Sequence, residues 1–235
     1  MNSVAEALAL AFELVLSADA DLLEIVILSL KVSITATLLS VGLGLPVGAF
    51  LAMSRFPGRG AVIVVVNALM GLPPVVVGLL VYLQLSRAGP LGFLGLLYTP
   101  TAMIIAQALL ITPIVAALSK QILEDLHSEY AETFRSLSLT RGQTMSALLW
   151  DGRLALVTVG LAGLGRALAE VGAVMIVGGN IDHLTRVMTT AIALETSRGE
   201  LALALALGMV LLAISLMVNA AVQMLRASAG RAAYA

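Results

Sequence analysis

The sequence predicts an all-α integral membrane protein with about five transmembrane helices and an amphipathic N-terminal helix. Hydrophobic residues make up 60% of the 235 residues and charged residues only 11%, whereas about 25% of an ordinary soluble domain is charged. The apolar residues also form uncharged runs long enough to cross the roughly 30 Å of a bilayer core. An open sheet cannot satisfy its backbone hydrogen bonds in lipid, so these runs are expected to be helices.

The composition excludes several kinds of site. The chain has no cysteine, which excludes disulfides, thiolate nucleophiles and cysteine-ligated metals. Its two histidines, His127 and His183, cannot form a multi-histidine metal centre, and each is interpreted as a solvated side chain. The net charge of −1 provides no basic surface for nucleic acid. We therefore expect no metal site of the cysteine-ligated or multi-histidine kind on this chain.

Residues 1–20 are predicted to form an amphipathic helix at the membrane interface. Glu6 and Glu13 are seven residues apart and so share one helix face. Their acidity also distinguishes this segment from the basic start of a signal peptide. A sixth membrane span is the alternative for this segment.

Long apolar runs, the fourth broken only by Arg166 and Glu170, predict the five membrane helices. Residues 89–100 are rich in glycine and proline and indicate a turn, so the third helix is expected to start near Thr99. The five predicted helices span approximately 22–53, 61–86, 99–119, 154–178 and 201–226. Residues 21–228 are predicted to form a single membrane domain, and residues 229–235 a cytoplasmic tail.

The distribution of lysine and arginine predicts the orientation. With the N-terminus outside, eight basic residues fall on the inner side and three on the outer side, as the positive-inside rule requires. The inner set is Arg55, Arg59, Lys120, Arg135, Arg141, Arg153, Arg226 and Arg231, and the outer set is Arg87, Arg186 and Arg198. We expect a multi-pass protein of the inner or plasma membrane with a cytoplasmic C-terminus.

Residues 120–153, here called the platform, interrupt the apolar pattern. Nine of these 34 residues are charged. Apolar side chains from Ile122 to Leu137 recur at helical spacing. Thr140 and Gln143 then match a capping box, which predicts the start of a second short helix. The pattern favours two helices on the cytoplasmic face over a simple solvated connector.

The platform resembles the EAA loop of ABC-transporter permeases. That motif reads E-A-A, three residues, glycine, nine residues and I-x-L-P. Residues 132–134 stand at E-A-A, and Ser138 replaces the glycine. Leu148 stands at the isoleucine position, while residues 150–151 replace the final Leu-Pro.

Three further segments are similar to permeases of oxyanion importers. They are residues 71–92, 165–180 and 186–208. Arg166, Glu170 and Gly172 match an R-A-x-x-E-x-G pattern of these permeases, and the third segment is most similar to the tungstate branch. The resemblance extends over almost the whole chain from about residue 22.

The resemblance implies a type I ABC importer permease fold and uptake of a tetrahedral oxyanion, with tungstate first and molybdate next. The implied partners are a second copy of the chain, two ATP-binding subunits and an extracytoplasmic oxyanion-binding protein, all around a chain embedded in membrane lipid. The sequence has no G-x-x-x-x-G-K-[ST] phosphate loop, so ATP is expected to be bound by the partner subunit. The chain is therefore expected to be a transporter subunit and not an enzyme, with no catalytic residues, no bound metal and no cofactor of its own.

Two other classes of protein are alternatives. A self-contained secondary transporter or channel usually has an inverted repeat, and an intramembrane enzyme needs a catalytic set such as H-E-x-x-H. The sequence contains neither feature.

The platform is expected to contain the residues that couple the chain to its ATPase. Charged residues would make polar contacts, and Leu137 and Leu139 would be apolar anchors. The candidate set is Glu129, Glu132, Arg135, Leu137, Ser138, Leu139, Thr140, Arg141 and Gly142.

Arg166, Glu170, Pro73 and Pro74 are candidates for the translocation pathway or its gate. Charged side chains at membrane depth face protein or water and pair with each other. Residues four apart lie on one helix face and can touch. Each proline removes a backbone hydrogen bond and is expected to kink the second span. An ion pair or kink that serves only helix packing is the alternative.

Overall fold

The computed structural model describes residues 4–17 and 19–232, with side chains described for residues 6–17 and 19–224. Within these ranges all regular structure is helical, which confirms the predicted all-α class. The α-helices are α1 (Val4–Leu16), α2 (Ala20–Met53), α3 (Arg59–Met70), α4 (Pro74–Leu85), α5 (Pro100–Glu129), α6 (Ala131–Ser136), α7 (Arg141–Asp151), α8 (Arg153–Leu168), α9 (Gly172–Gly178), α10 (Met188–Arg198) and α11 (Leu201–Ala232), and a short 3₁₀ turn spans Gly92–Leu94.

Three helices are long and apolar enough to cross a membrane, namely α2, α5 and α11. Two interrupted pairs, α3 with α4 and α7 with α8, raise the number to five when each pair counts as one span. This agrees with the prediction of about five. Helix α1 has 13 residues, which gives a length of about 20 Å. That length favours the predicted interfacial helix over a sixth span, because the bilayer core is roughly 30 Å thick.

The second predicted span is broken, so the prediction of a kinked but continuous helix over 61–86 is wrong. Helix α3 ends at Met70, and α4 begins at Pro74. Pro73 is the extended residue before α4, and Pro74 occupies its first position. A proline at this position needs no N–H donor and is preorganised for a helix start. The adjacent prolines therefore end one helix and start another.

Two more predicted boundaries differ from the structure. The span predicted over 154–178 is divided into α8 and α9 by a break at residues 169–171, and its chemistry is described with the site below. The third span extends to Glu129, so residues 120–129 of the platform belong to the long helix α5. Continuous helical periodicity from Ile122 onward explains that extension.

The chain divides into two compact units, each assembled from three stretches of sequence. Unit 1 comprises Met1–Ala36, Pro73–Gln107 and Gly165–Val218, and unit 2 comprises Thr37–Leu72, Ala108–Leu164 and Asn219–Ala235. The Arg166/Glu170 and Pro73/Pro74 candidates belong to unit 1, and the platform belongs to unit 2.

Unit 1 contains a close helix contact between α4 and α9. A Cβ atom at Gly78 would lie 2.8 Å from the Cα atom of Ala173. Only glycine permits backbones to approach this closely. Val77, Val81, Val174 and Val177 are buried around this contact.

Unit 2 contains an apolar core built by the platform and the helices next to it. Ala49, Leu123, Leu148 and Leu156 are buried there, from α2, α5, α7 and α8 respectively. The partly buried side chains around them include Leu45, Ala52, Met53, Ile122, Leu126, Tyr130, Phe134 and Met145. The apolar residues at helical spacing in the platform thus lie on the face that packs into this core.

Candidate functional site

Arg166 and Glu170 form an ion pair, with 2.7 Å between Arg166 Nη1 and Glu170 Oε2. The Arg166 side chain is 37% exposed and that of Glu170 only 3%. Arg166 lies in the last turn of α8, whereas Glu170 lies in the break after that helix. The other carboxylate oxygen, Oε1, accepts a hydrogen bond from the Ala173 backbone N–H at 3.1 Å. Both oxygens of this buried carboxylate therefore have a donor, as burial of a charge requires.

Side chains from other helices stabilise the break between α8 and α9. The last carbonyl groups of a helix lack intrahelical donors. Gln107 on α5 donates from Nε2 to the Ala167 carbonyl at 3.1 Å. Thr189 on α10 donates from Oγ1 to the Glu170 carbonyl at 2.8 Å. The interruption is therefore a built feature of unit 1.

The start of α4 lies beside this break. A Cβ atom at Gly172 would lie 2.8 Å from Val75 Cγ2 and 3.8 Å from Glu170 Oε1. Val75 directly follows Pro74, the first residue of α4. Arg166 and Glu170 are thus in direct contact, and the start of α4, which follows the proline pair, packs through Val75 against Gly172, two residues from Glu170.

A left-handed residue ends the first helix of the platform. Ser138 has φ 51°. The Leu139 N–H donates to the Phe134 carbonyl at 3.2 Å, and the Ser138 N–H donates to the Arg135 carbonyl at 3.0 Å. This hydrogen-bond pattern is a Schellman motif, whose left-handed position is usually glycine. Ser138 is the residue that replaces the glycine of the EAA pattern, so its backbone conformation agrees with that alignment.

The second platform helix begins at the predicted capping box. Thr140 Oγ1 accepts from the Gln143 N–H at 3.4 Å, and Gln143 Oε1 accepts from the Thr140 N–H at 2.9 Å. This confirms the predicted start of α7. The two turn motifs hold residues 137–142 as a defined corner between α6 and α7.

The candidate coupling residues present their side chains to the surroundings. Leu137 is 63% exposed although it follows a helix whose apolar side chains face the core. Leu139 is half-buried, and the remaining candidates are exposed, namely Glu129, Glu132, Arg135, Ser138, Thr140, Arg141 and Gly142. This exposure leaves the corner accessible to a partner protein.

Two sets of charged contacts in the structure were not predicted from the sequence. His183 Nδ1 lies 2.9 Å from Glu24 Oε2, and this hydrogen bond raises the pKa of His183 above its ordinary value. Arg59 and Lys120 both pair with Glu124. Among these contacts, only the Lys120–Glu124 pair can be expected from the sequence, because residues four apart on a helix can touch. The other contacts join residues 65 and 159 positions apart.

Comparison with known proteins gives a consistent result. Residues 44–230 match the family of binding-protein-dependent transport system inner membrane components. The chain is 42% identical over 226 residues to the tungstate uptake system permease protein TupB of Peptoclostridium acidaminophilum, which covers 96% of this chain and 99% of the relative. It is 40% identical over 204 residues to a probable anion ABC transporter permease protein of Haloferax volcanii, with 85% and 88% covered. It is 41% identical over 155 residues to TupB of Campylobacter jejuni, with 66% and 65% covered.

The apolar helices and the similarity to named permeases define the chain as a multi-pass membrane permease. The chain belongs to the family of binding-protein-dependent transport system inner membrane components. This confirms the family that the sequence motifs indicated and the fold class expected from it.

Proposed function

We propose that this chain is the permease subunit of an ABC importer that moves tungstate, and molybdate as a second substrate, across the cytoplasmic membrane. The supporting observation is the similarity to a permease named for tungstate uptake, which extends over 96% of this chain. Tungstate and molybdate have equal charge and nearly equal size. The choice between them therefore belongs to the binding protein.

The proposed assembly contains two copies of this chain, two ATP-binding subunits and an extracytoplasmic binding protein. The N-terminus lies outside, because this orientation places eight basic residues inside and three outside. The platform then faces the cytoplasm, where the ATPase is available.

The corner at residues 137–142 is the proposed docking point for the ATPase. Leu137 is the apolar anchor, since its side chain is exposed on an ordered turn. Arg135 and Arg141 flank it with positive charge. Such a docked element transmits a rigid-body motion of the partner to the spans.

Arg166 is the proposed oxyanion-attracting group of the pathway. Its guanidinium is 37% exposed while its partner carboxylate is buried, so the cation is the accessible member of the pair. Arginine donates two parallel hydrogen bonds to an oxyanion. Glu170 holds the guanidinium in place, and the start of α4 packs through Val75 against Gly172.

Uptake into proteoliposomes tests the transport function. The chain is reconstituted with its ATPase and binding-protein partners, and ATP-dependent accumulation of tungstate is measured. Molybdate and sulfate serve as competitors, and omission of the binding protein is the control. Uptake of sulfate in preference to tungstate and molybdate would contradict the proposed substrate class.

Arg166→Lys tests the pathway role. Lysine keeps the charge and can still pair with Glu170, but it lacks the planar fork. A pathway role predicts normal assembly and at least fivefold slower uptake. Wild-type uptake by this variant would mean that the Arg166–Glu170 pair serves only helix packing.

A further inference from the structure

Three charged side chains of unit 2 form a network that the functions proposed above do not use. Glu124 Oε2 pairs with Lys120 Nζ at 2.5 Å, and Glu124 Oε1 pairs with Arg59 Nη2. Each carboxylate oxygen therefore has its own cation. The side chains of Arg59, Lys120 and Glu124 are 28%, 18% and 31% exposed. Partly buried pairs are screened less by salt than fully exposed ones.

Arg59 also binds the end of α2. Its Nε donates to the Leu51 carbonyl at 2.9 Å. Helix α2 ends at Met53, so this carbonyl is among the last four, which have no intrahelical donor. One planar guanidinium thus joins the C-terminus of α2 to α5. A lysine could pair with Glu124 but has no second donor fixed in the same plane.

The turn that carries Arg59 is itself held in place. The Phe56 ring stacks on the Phe50 ring, with 5.9 Å between centroids. Gly58 precedes α3 with φ 86°, a conformation that glycine adopts without strain. Residues 54–59 therefore form a defined connection between α2 and α3 whose last residue pairs with α5.

Helix α5 connects this network to the corner at residues 137–142. Leu123, next to Glu124, is fully buried in the core that contains Leu148 of α7. The same helix leads directly into α6. A displacement of that corner is thus transmitted to the segment of α5 that holds Glu124.

We propose that Arg59, Glu124 and Lys120 form a clamp that makes the α2–α3 turn move together with the platform. Arg59 and Glu124 are then positioning residues for the coupling of ATP hydrolysis to transport. The clamp rests on the proposed function, because it acts only when an ATPase moves the platform. When the clamp is lost, the platform still moves in response to ATP, but the α2–α3 turn moves with it less than in the wild type.

The coupling ratio tests the clamp. Tungstate imported per ATP hydrolysed is measured in proteoliposomes for the wild type, Glu124→Gln, Arg59→Lys and the control Asp125→Asn. Asp125 is the exposed acid next to Glu124 and is not part of the clamp. We expect a ratio at least threefold lower for Glu124→Gln, an intermediate ratio for Arg59→Lys and a wild-type ratio for the control, with equal co-purification of the ATPase.

A wild-type ratio for Glu124→Gln would overturn the proposal. Loss of ATPase co-purification in that variant would also overturn it, since the clamp acts after docking. If Glu124→Gln does not insert, Arg59→Gln removes the same link from the other side and decides the question by the same ratio.

A distance measurement separates the clamp from the choice of substrate. The chain has no cysteine, so spin labels at Arg55→Cys and Gln121→Cys report one distance between the turn and α5. We expect this distance to be the same in the nucleotide-free and ATP-trapped complexes of the wild type. In Glu124→Gln we expect its distribution to broaden. A wild-type distance that changes with nucleotide would overturn the clamp. Failure of the wild type to import tungstate would instead count against the proposed function.

Discussion

Replacement of Arg166 by glutamine should destabilise the protein more than replacement of Glu170 by glutamine. The reason is the unequal burial of the pair, with Glu170 3% exposed and Arg166 37% exposed. Removal of Arg166 leaves a carboxylate in the interior without its counter-ion. Removal of the Glu170 charge leaves a guanidinium that still reaches polar surroundings.

The magnitudes follow from the contacts. Loss of one partner of a buried ion pair costs about 3–5 kcal/mol. The hydrogen bond from the Ala173 N–H remains in Arg166→Gln, so the lower end, about 3 kcal/mol, is expected. In Glu170→Gln the amide oxygen still accepts from Ala173, but the amide NH2 cannot accept from Arg166, so one charge-assisted bond is lost, which costs about 1.5 kcal/mol. The difference of about 1.5 kcal/mol is roughly tenfold in the unfolding equilibrium.

Reversible unfolding in mixed micelles of a mild detergent and dodecyl sulfate measures this difference. Helix content follows the whole molecule, and the single tryptophan, Trp150 in the platform, reports on unit 2. The double variant Arg166→Gln/Glu170→Gln should be at least as stable as Arg166→Gln alone, because it removes the unpaired charge. Equal costs for the two single variants, or a larger cost for Glu170→Gln, would refute the argument from burial.

Three further outcomes are expected. Leu137→Asp should weaken ATPase binding by about 2 kcal/mol, the usual contribution of an apolar anchor in an interface; undiminished co-purification would contradict this. Gly78→Ala should cost about 1–3 kcal/mol by overpacking, whereas Gly42→Ala, with open space around the added methyl, should not destabilise. His183 has a raised pKa through its bond to Glu24, so its stabilisation is complete below about pH 6.5 and is lost as pH rises through the folded pKa. The unfolding temperature should therefore fall across that window in the wild type but not in His183→Gln.

Features set by neighbours in sequence were predicted well. The capping box of Thr140 and Gln143 depends on four consecutive residues, and the structure forms it as expected. The platform face at residues 122–134 follows from helical spacing alone, because burial of one face needs only that periodicity. Local chemistry of this kind does not depend on the rest of the fold.

Contacts between distant segments were not predicted. Glu124 counted only as one charge among nine in the platform, yet it pairs with Arg59, 65 positions earlier. Glu24 and His183 are separated by 159 positions. Single charges give no periodic signal, so only the packing of the helices determines which of them meet.

The two breaks in the membrane helices differ in the signal that the sequence carries. The α3–α4 break lies at adjacent prolines, which lack N–H donors wherever they are placed, although the sequence predicted only a kink there. The α8–α9 break has no proline, and its carbonyls are satisfied by Gln107 and Thr189.

Arg166 and Glu170 were expected to meet because residues four apart share a helix face. They do meet, but Glu170 lies beyond the end of α8, and its buried carboxylate also holds the start of α9. An exchange of the two charges would therefore not restore the pair, since an arginine at position 170 cannot accept the Ala173 N–H. The geometry of this break depends on its neighbours, and a variant of Gln107 or Thr189 alters it without touching either charge.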